Sequence, residues 1–248
     1  MTFPYIYKKK KLPNIVTWAD GTVDEIKAML DAHDAGDINI YDFWSVGDER
    51  TVSLSAIAAN PNGAFITAMD AQNVTMVLMN EGYMSQSGIH YVVGQKDCLN
   101  KGGRMNSTDT NAGSWKDCLM RADLSNLYYN ALPSDFKSLL KQFDVLTAKT
   151  YSGSINETTQ DYIALFAEKE VFGTRSYSNA TEAAVLLQIK YYETSSNRQK
   201  TQDTGPAYWW ERSPDINYDT AFCVIRSTGI ADEFPSNNKN GISPFCCI

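Results

Sequence analysis

The side chains that could support catalysis are two histidines and many carboxylates. His33 and His90 are the only candidates for the general base of a Ser-His-Asp or Cys-His centre. Neither lies in a recognisable active-site signature, so each is interpreted as a packed structural histidine. Carboxylate pairs such as those at 48–49 and 232–233 are expected by chance among 29 acidic residues. A hydrolase acting on the cell envelope is kept as an alternative; it requires a concave pocket with two carboxylates, away from the C-terminal loops.

Metal and cofactor chemistry has little support in the residue spacing. Asp215, Asn217 and Asp219 are spaced like a calcium loop, but the glycine and the closing glutamate of an EF-hand are missing. The glycine pair at 102–103 fits no phosphate-binding loop. The five cysteines include no CxxC pair, which argues against zinc and favours reduced core thiols. We therefore predict no cofactor and no metal.

Charge and hydropathy exclude several classes of partner. The formal net charge of −7 disfavours binding to the phosphate backbone of nucleic acids. The one lysine run, at 8–11, is interpreted as a solvated tail. No segment approaches the roughly 18 apolar residues of a membrane helix, so membrane insertion is not expected. The N-terminus lacks the apolar region of a secretory signal. We expect synthesis in the cytoplasm, and a location in a virion or at a bacterial surface would follow from assembly or lysis.

Hydrophobic periodicity and the positions of glycine, proline and capping residues predict the helices and strands that must position these residues. A content of 43% hydrophobic and 12% aromatic residues indicates a globular core. We predict an extended lead-in over 1–17 and a single domain over 18–248. Thr22 caps a helix that Gly36 ends, with Glu25 in the capping-box position. Further helices are predicted at 114–131, 133–143 and 181–192, and a polar loop at 147–159. Strands are predicted as a hairpin at 43–54 and at 74–79, 161–166, 208–212, 221–225 and 242–248. The fold class is α+β, with helices packed on a small antiparallel sheet and a loop-rich C-terminal region.

The segment 208–248 has the composition of a binding surface on a rigid frame. Trp209, Trp210 and Arg212 lie on a strand that ends at Pro214, and we interpret them as scaffold. An apolar strand at 242–248 closes the chain and is expected to dock in the sheet. The residues between these strands are rich in Asn, Asp, Ser, Thr and Tyr, a composition typical of adaptable recognition loops.

The predicted ligand-binding residues fall into two groups. Tyr218, Arg226 and Phe234 are expected to anchor a ligand, because aromatic and arginine side chains dominate binding hot spots. The others are expected to supply hydrogen bonds or shape: Asp215, Asn217, Asp219, Ala221, Thr228, Ile230, Asp232, Asn237, Asn238 and Asn240. Two alternatives remain open. The loops could be ordinary solvated connections. In a structural virion protein, Tyr218 and Phe234 would instead be buried in an oligomer contact.

Several short sequence motifs, taken in their order along the chain, resemble those of a family classed under a domain of unknown function. That family comes from gut bacteria, their phages and prophages. The resemblance spans the chain from about Trp18 onward and includes a C-terminus of the form WW-x-RSP followed by G-x-x-P. The motifs are GDERTV at 47–52, MNST at 105–108, WK at 115–116, ALP at 131–133, ETTQDY at 157–162, FG at 172–173, YWWERSP at 208–214 and GISPFCCI at 241–248.

The C-terminal layout also resembles the variable proteins of diversity-generating retroelements. In those proteins a C-type lectin fold displays C-terminal residues that adenine-directed mutagenesis varies. The resemblance implies a receptor-binding role in a phage tail or at a bacterial surface, with a bacterial surface protein or glycan as ligand. Mutation of the two adenines of an asparagine codon cannot give Lys, Glu, Gln, Met or Trp, and residues 212–232 contain none of these. Glu233 and Lys239 would be fixed positions. The calcium-dependent sugar motif of C-type lectins has no match, and adjacent Cys246 and Cys247 poorly resemble the paired cysteines of formylglycine-generating enzymes.

Overall fold

The computed structural model describes residues 12–149 and 156–248. The α-helices of this part are α1 Val23–Asp34, α2 Ser114–Asp117, α3 Leu119–Asp123, α4 Tyr129–Ala131, α5 Ser134–Lys137, α6 Glu168–Phe172 and α7 Ala180–Ala183, and a π-helix at Leu124–Tyr128 joins α3 to α4. The strands are β1 Glu49–Leu54, β2 Gln72–Glu81, β3 Tyr91–Gln95, β4 Phe143–Ala148, β5 Asn156–Asp161, β6 Lys200–Gln202, β7 Gly205–Ala207, β8 Trp209–Pro214, β9 Ala221–Ile225, β10 Ala231–Pro235 and β11 Phe245–Cys247. The α+β class is confirmed.

Four antiparallel sheets organise the described residues. The largest has the strand order β1-β2-β3-β11, so the last strand of the chain pairs with β3, with Cys246 opposite Val93. A second sheet has the order β10-β9-β8 and carries most of the C-terminal segment. Strands β4 with β5 and β6 with β7 form two-stranded sheets. The C-terminal segment therefore contributes to two sheets, and its exposed parts are tied to the core at both ends.

One hydrophobic core extends from Trp18 to Ile248. Every residue of β3, β8, β9 and β11 is buried, which means that these strands are covered on both faces. Burial of both faces explains why the sequences of β9 and β11 are continuously apolar instead of alternating, whereas β8 also buries the charged Glu211 and Arg212. The five cysteines are buried as free thiols, as the sequence predicted, and burial raises the pKa of Cys98 and Cys118 to about 12.

Helix α1 confirms the first predicted element. The Thr22 hydroxyl accepts a hydrogen bond from the Glu25 amide, and the Glu25 carboxylate accepts one from the Thr22 amide, which completes the capping box. Its buried face includes Val23, Ile26 and Met29, as the three- and four-residue spacing indicated. In the described residues no helix is long and apolar enough to cross a membrane.

Loss of this cap is expected to weaken α1. Replacing Thr22 with alanine should lower the free energy of unfolding by about 1 kcal/mol, because the N-terminal amide donor loses its acceptor. Replacement with serine keeps the hydroxyl and should cost little. Chemical denaturation of the two variants measures the difference; equal losses would show that the hydroxyl contributes nothing.

Other predicted boundaries were wrong for reasons of packing. The hairpin at 43–54 does not form, because β1 pairs with β2 and residues 40–42 form a 3₁₀ turn. The helix at 114–131 is interrupted at Cys118, which adopts an extended conformation between α2 and α3. Residues 181–192 hold only the end of α7 and part of a 3₁₀ turn at Lys190–Glu193.

The region around 143–166 also differs from the prediction. Strands β4 and β5 pair from Phe143 opposite Asp161 to Ala148 opposite Asn156, where a helix end and a polar loop were predicted. Of the predicted strand at 161–166, only Asp161, at the end of β5, and Ala164, in an isolated bridge to Phe245, pair with another strand. The lysine run at 8–11 and most of the lead-in lie outside the described residues, and residues 12–17 contain no helix or strand.

Candidate functional site

Strand β8 forms the frame of the C-terminal region. The Trp209 indole N–H donates to the Arg198 main-chain oxygen at 2.9 Å, and that of Trp210 donates to the Gly103 oxygen at 2.8 Å. Both side chains are fully buried. These two adjacent residues thus anchor different parts of the chain, because neighbouring side chains of a strand point to opposite faces. The scaffold interpretation of these tryptophans agrees with their positions.

Arg212 completes the frame through a buried ion pair. Its Nη1 lies 2.5 Å from Glu170 Oε2 and its Nη2 lies 2.9 Å from Glu170 Oε1, with both side chains essentially inaccessible to solvent. Nη1 also donates to the Leu165 main-chain oxygen at 2.8 Å. Burial alone would lower the pKa of Arg212, but the charge of Glu170 raises it overall. The guanidinium therefore joins β8 to α6 and to the chain before it.

Glu211 is the anomalous residue of this strand. The register of β8 against β9 shifts between Trp210 and Pro214, and Glu211 lies in the shifted segment. It is fully buried, and both of its carboxylate oxygens lack a hydrogen-bond partner among the described residues. Burial raises the pKa of Glu211 well above its usual value, and the nearby charges of Glu168 and Glu182 add to the effect. An unpaired buried carboxyl destabilises the fold when it is ionised.

Asn111 holds the loop between β8 and β9. Its Nδ2 lies within hydrogen-bond distance of the main-chain oxygens of Asp215 (3.3 Å), Tyr218 (2.9 Å) and Ala221 (2.9 Å), and its side chain is buried. On the far side of β10, Ser236 donates to the Thr108 oxygen and accepts from the Thr110 amide. A segment far away in sequence therefore fixes both loops at this end of the sheet.

Removal of the Asn111 amide tests how rigid that loop is. Asn111→Ala should lower the free energy of unfolding by about 1–3 kcal/mol, because buried carbonyl oxygens lose their donor. Amide hydrogen exchange at 215–221 should accelerate more than exchange in β2. Asn217→Ala is the control; Asn217 is exposed, so its replacement should change stability little. Unchanged exchange at 215–221 in Asn111→Ala would contradict this role.

The exposed part of the second sheet carries aromatic and charged side chains side by side. The rings of Tyr208 and Phe234 meet edge to face, with 5.4 Å between their centroids. Arg226 Nε lies 2.6 Å from Asp232 Oδ2, and 45% of the Arg226 side chain is exposed. Burial raises the pKa of Glu233, and the charges of Asp232 and Asp215 raise it further. We name the C-terminal surface as Tyr208 together with the accessible side chains of 217–219, 226–230, 233–234 and 237–240.

The structure brings most of the predicted ligand-binding residues to accessible positions. The exposed ones are Asn217, Tyr218, Asp219, Arg226, Thr228, Ile230 and Asn237, and the partly exposed ones are Phe234, Asn238 and Asn240. Tyr218 and Ile230 are more than half exposed, at 56% and 55%. They lie in different connections, 215–220 and 226–230, which enter β9 at opposite ends. The predicted residues thus occupy both ends of one sheet.

Three predicted residues are buried and support the surface instead of forming it. Asp215 accepts hydrogen bonds from the amides of Asn217 and Tyr218 at 2.6 and 2.8 Å, so its carboxylate shapes the loop. Ala221 lies in fully buried β9. Asp232 is buried, and its carboxylate is engaged by Arg226. The prediction that these three side chains contact a ligand directly was wrong, because the fold buries them.

The sequence prediction missed Tyr208 as a surface residue. It was assigned to the frame as the first residue of the predicted strand at 208–212, yet it lies outside β8 and is 37% exposed. The available signal was its position at the start of the predicted strand, because the residues that cover a strand can end there and leave its first side chain exposed.

Within the described residues no group of three His, Cys, Asp or Glu side chains is placed to hold a metal ion.

Comparison with known proteins identifies the family. Neither a curated protein nor a solved structure matches the chain. Residues 72–248 match one family model, and the match begins at the first residue of β2 and ends at the last residue of the chain. It therefore includes the whole C-terminal surface and its buried frame. The chain belongs to the family described as Domain of unknown function (DUF6273).

Proposed function

We propose that this chain is a ligand-binding protein that uses the C-terminal surface to attach to a bacterial surface protein or glycan. The observation that carries the proposal is the contrast within one short segment. Strands β8 and β9 are completely buried, whereas the loops beside them expose aromatic, arginine and amide side chains. A rigid base with adaptable loops is the arrangement that recognition surfaces share.

We propose further that the fold is C-type lectin-like and that the protein acts in a phage tail or at a bacterial surface. The pairing of the last strand with β3 supports this fold, because it anchors the chain end in the core and leaves the preceding loops at the surface. The resemblance to retroelement variable proteins adds a reason for the composition of the loops. Positions such as Asn217, Thr228 and Asn237 are exposed, so substitution there would cost little stability.

Binding to cells tests the proposal. The purified protein is incubated with a panel of intact gut bacteria and bound protein is measured by flow cytometry. At least one strain should bind, and the double variant Tyr208→Ala/Tyr218→Ala should lose about 2 kcal/mol of binding free energy or more, about 30-fold in affinity.

A matched control separates this surface from general stickiness. Phe43→Ala/Tyr162→Ala removes two aromatic rings of similar exposure, 42% and 41%, that lie outside the C-terminal surface. This variant should bind as the unmodified protein does. Equal losses in the two double variants, or a panel in which no strain binds, would count against the proposal.

A further inference from the structure

A polar cavity lies on another part of the molecule, between the start of β2, the end of β3 and the β6–β7 hairpin. Its volume is about 250 Å³, slightly below the roughly 300 Å³ at which pockets for drug-sized ligands begin. Its described lining includes four amide side chains, Gln72, Asn73, Gln95 and Gln202, and two carboxylates, Asp97 and Asp203. None of the described lining residues belongs to the C-terminal surface. The cavity is therefore a separate candidate site.

The wall of the cavity is held in place by its own hydrogen bonds. Asp97 Oδ1 accepts from both the amide and the hydroxyl of Thr201, each at 2.8 Å. Gln72 exchanges two hydrogen bonds with Asn100, at 3.2 and 3.0 Å. The Gln95 side chain accepts from the Tyr128 hydroxyl and donates to the Asp97 main-chain oxygen. Such bracing fixes the positions of the polar groups before a ligand arrives, which reduces the entropy cost of binding.

The Asp97 carboxylate forms no ion pair within 4.0 Å among the described residues, and the charges of Lys96 and Lys200 act on it only from a greater distance. Lys96 pairs with Glu49 at 2.6 Å, and Lys101 lies 3.8 Å from Asp203 at the exposed rim. The buried Lys200 donates to the main-chain oxygens of Gln95 and Lys96. Among the described residues no cation lies within 4.0 Å of the Asp97 carboxylate, and no basic side chain lines the cavity. The lining therefore favours a cationic group over an anionic one.

We propose that this cavity binds an amino sugar, a ring of monosaccharide size that carries one ammonium group and several hydroxyls. The ammonium pairs with the Asp97 carboxylate, whose Oδ2 has no partner among the described residues. The hydroxyls accept from Asn73 Nδ2 and donate to Gln202 Oε1, because Asn73 Oδ1 already accepts from Ser53 and Gln202 Nε2 already donates to the Leu99 main-chain oxygen. Amides and hydroxyls recognise a polyol, and the carboxylate adds selection for positive charge.

Titration calorimetry with D-glucosamine at slightly acidic pH, where its amine is protonated, tests the assignment. Binding in the millimolar range is expected for so open and polar a site, and D-glucose, which lacks the ammonium, should bind about tenfold more weakly. Asp97→Asn keeps the Oδ1 acceptor for Thr201 but removes the charge, and should weaken D-glucosamine about tenfold. Asp31→Asn, on α1 and away from the cavity lining, should have no effect.

The outcomes separate this proposal from the one above. Absence of D-glucosamine binding, equal affinity for D-glucose or D-glucuronate, or unchanged affinity in Asp97→Asn would overturn it, provided that the variant unfolds at the normal temperature. Chemical shifts of the Thr201 and Gln202 amides should move on titration, which locates the ligand independently of the variants. The variant Tyr208→Ala/Tyr218→Ala should still bind D-glucosamine, so failure at one surface leaves the other untouched.

Discussion

Replacement of Arg212 by methionine lowers the free energy of unfolding by about 3–5 kcal/mol, because removal of one partner of a buried ion pair leaves the other charge buried and unpaired. Glu170 would keep its charge in a site that is 1% exposed, where the only remaining donors among the described residues are the Tyr83 hydroxyl at 2.6 Å and the Ala167 amide at 2.9 Å. The main-chain oxygen of Leu165 would also lose a donor. Urea denaturation monitored by tryptophan fluorescence measures the loss.

The double variant Arg212→Met/Glu170→Met is the decisive control for the pair. Apolar replacement of both partners leaves no unpaired buried charge, so the loss of stability in the double variant should be smaller than the sum of the losses in the two single variants. Arg226→Met breaks an ion pair at the exposed C-terminal surface and should leave the unfolding temperature nearly unchanged. Additive losses at Arg212 and Glu170 would show that the two side chains are not coupled.

Replacement of Glu211 by methionine has the opposite expected sign. It removes a buried carboxyl whose two oxygens have no partner among the described residues, and should stabilise the protein by about 1–3 kcal/mol near pH 7. The gain must depend on pH. Because the pKa of Glu211 is raised in the folded state, the folded protein binds more protons than the unfolded chain above the ordinary glutamate pKa. The stability of the unmodified protein therefore falls as pH rises through that window.

The pH dependence gives the prediction its test. Thermal unfolding from acidic to mildly alkaline pH should show a small advantage of Glu211→Met at the acidic end and a growing one toward the alkaline end. Burial also raises the pKa of Glu182, which remains in the variant, so the slope should decrease without vanishing. A variant less stable than the unmodified protein at mildly alkaline pH would mean that the Glu211 carboxylate has a stabilising partner.

The sequence was informative where local chemistry decides the outcome. The capping box of α1, the free buried cysteines and the burial of Trp209 and Trp210 followed from residue type and short spacing. Strand partners did not, because pairing of β1 with β2 and of β11 with β3 depends on contacts far apart in sequence. Strand β4 was missed, because the predicted helix at 133–143 included its first residue and the predicted polar loop at 147–159 included its end, and short apolar runs fit both periods.

The same distinction between local composition and long-range contacts applies to the candidate site. Loops rich in Asn, Asp and Tyr were placed correctly at the surface, but the composition could not reveal which of their side chains turn inward. Asp215 and Asp232 serve the loop and Arg226, and these roles depend on hydrogen-bond geometry. The anchor residue Asn111 lies more than a hundred positions from the loop it holds and had no sequence signal.

Deep sequencing of this gene across related phage and bacterial populations tests the central claim most directly, because a diversified binding surface leaves a positional pattern. Substitutions should concentrate at codons of exposed residues in the C-terminal surface, such as Asn217, Thr228 and Asn237. Codons of the buried frame residues Trp209, Trp210 and Arg212 should stay constant, and a template copy of the 3′ end that differs at adenines should lie beside a reverse transcriptase gene. Substitutions spread evenly along the gene would contradict the account.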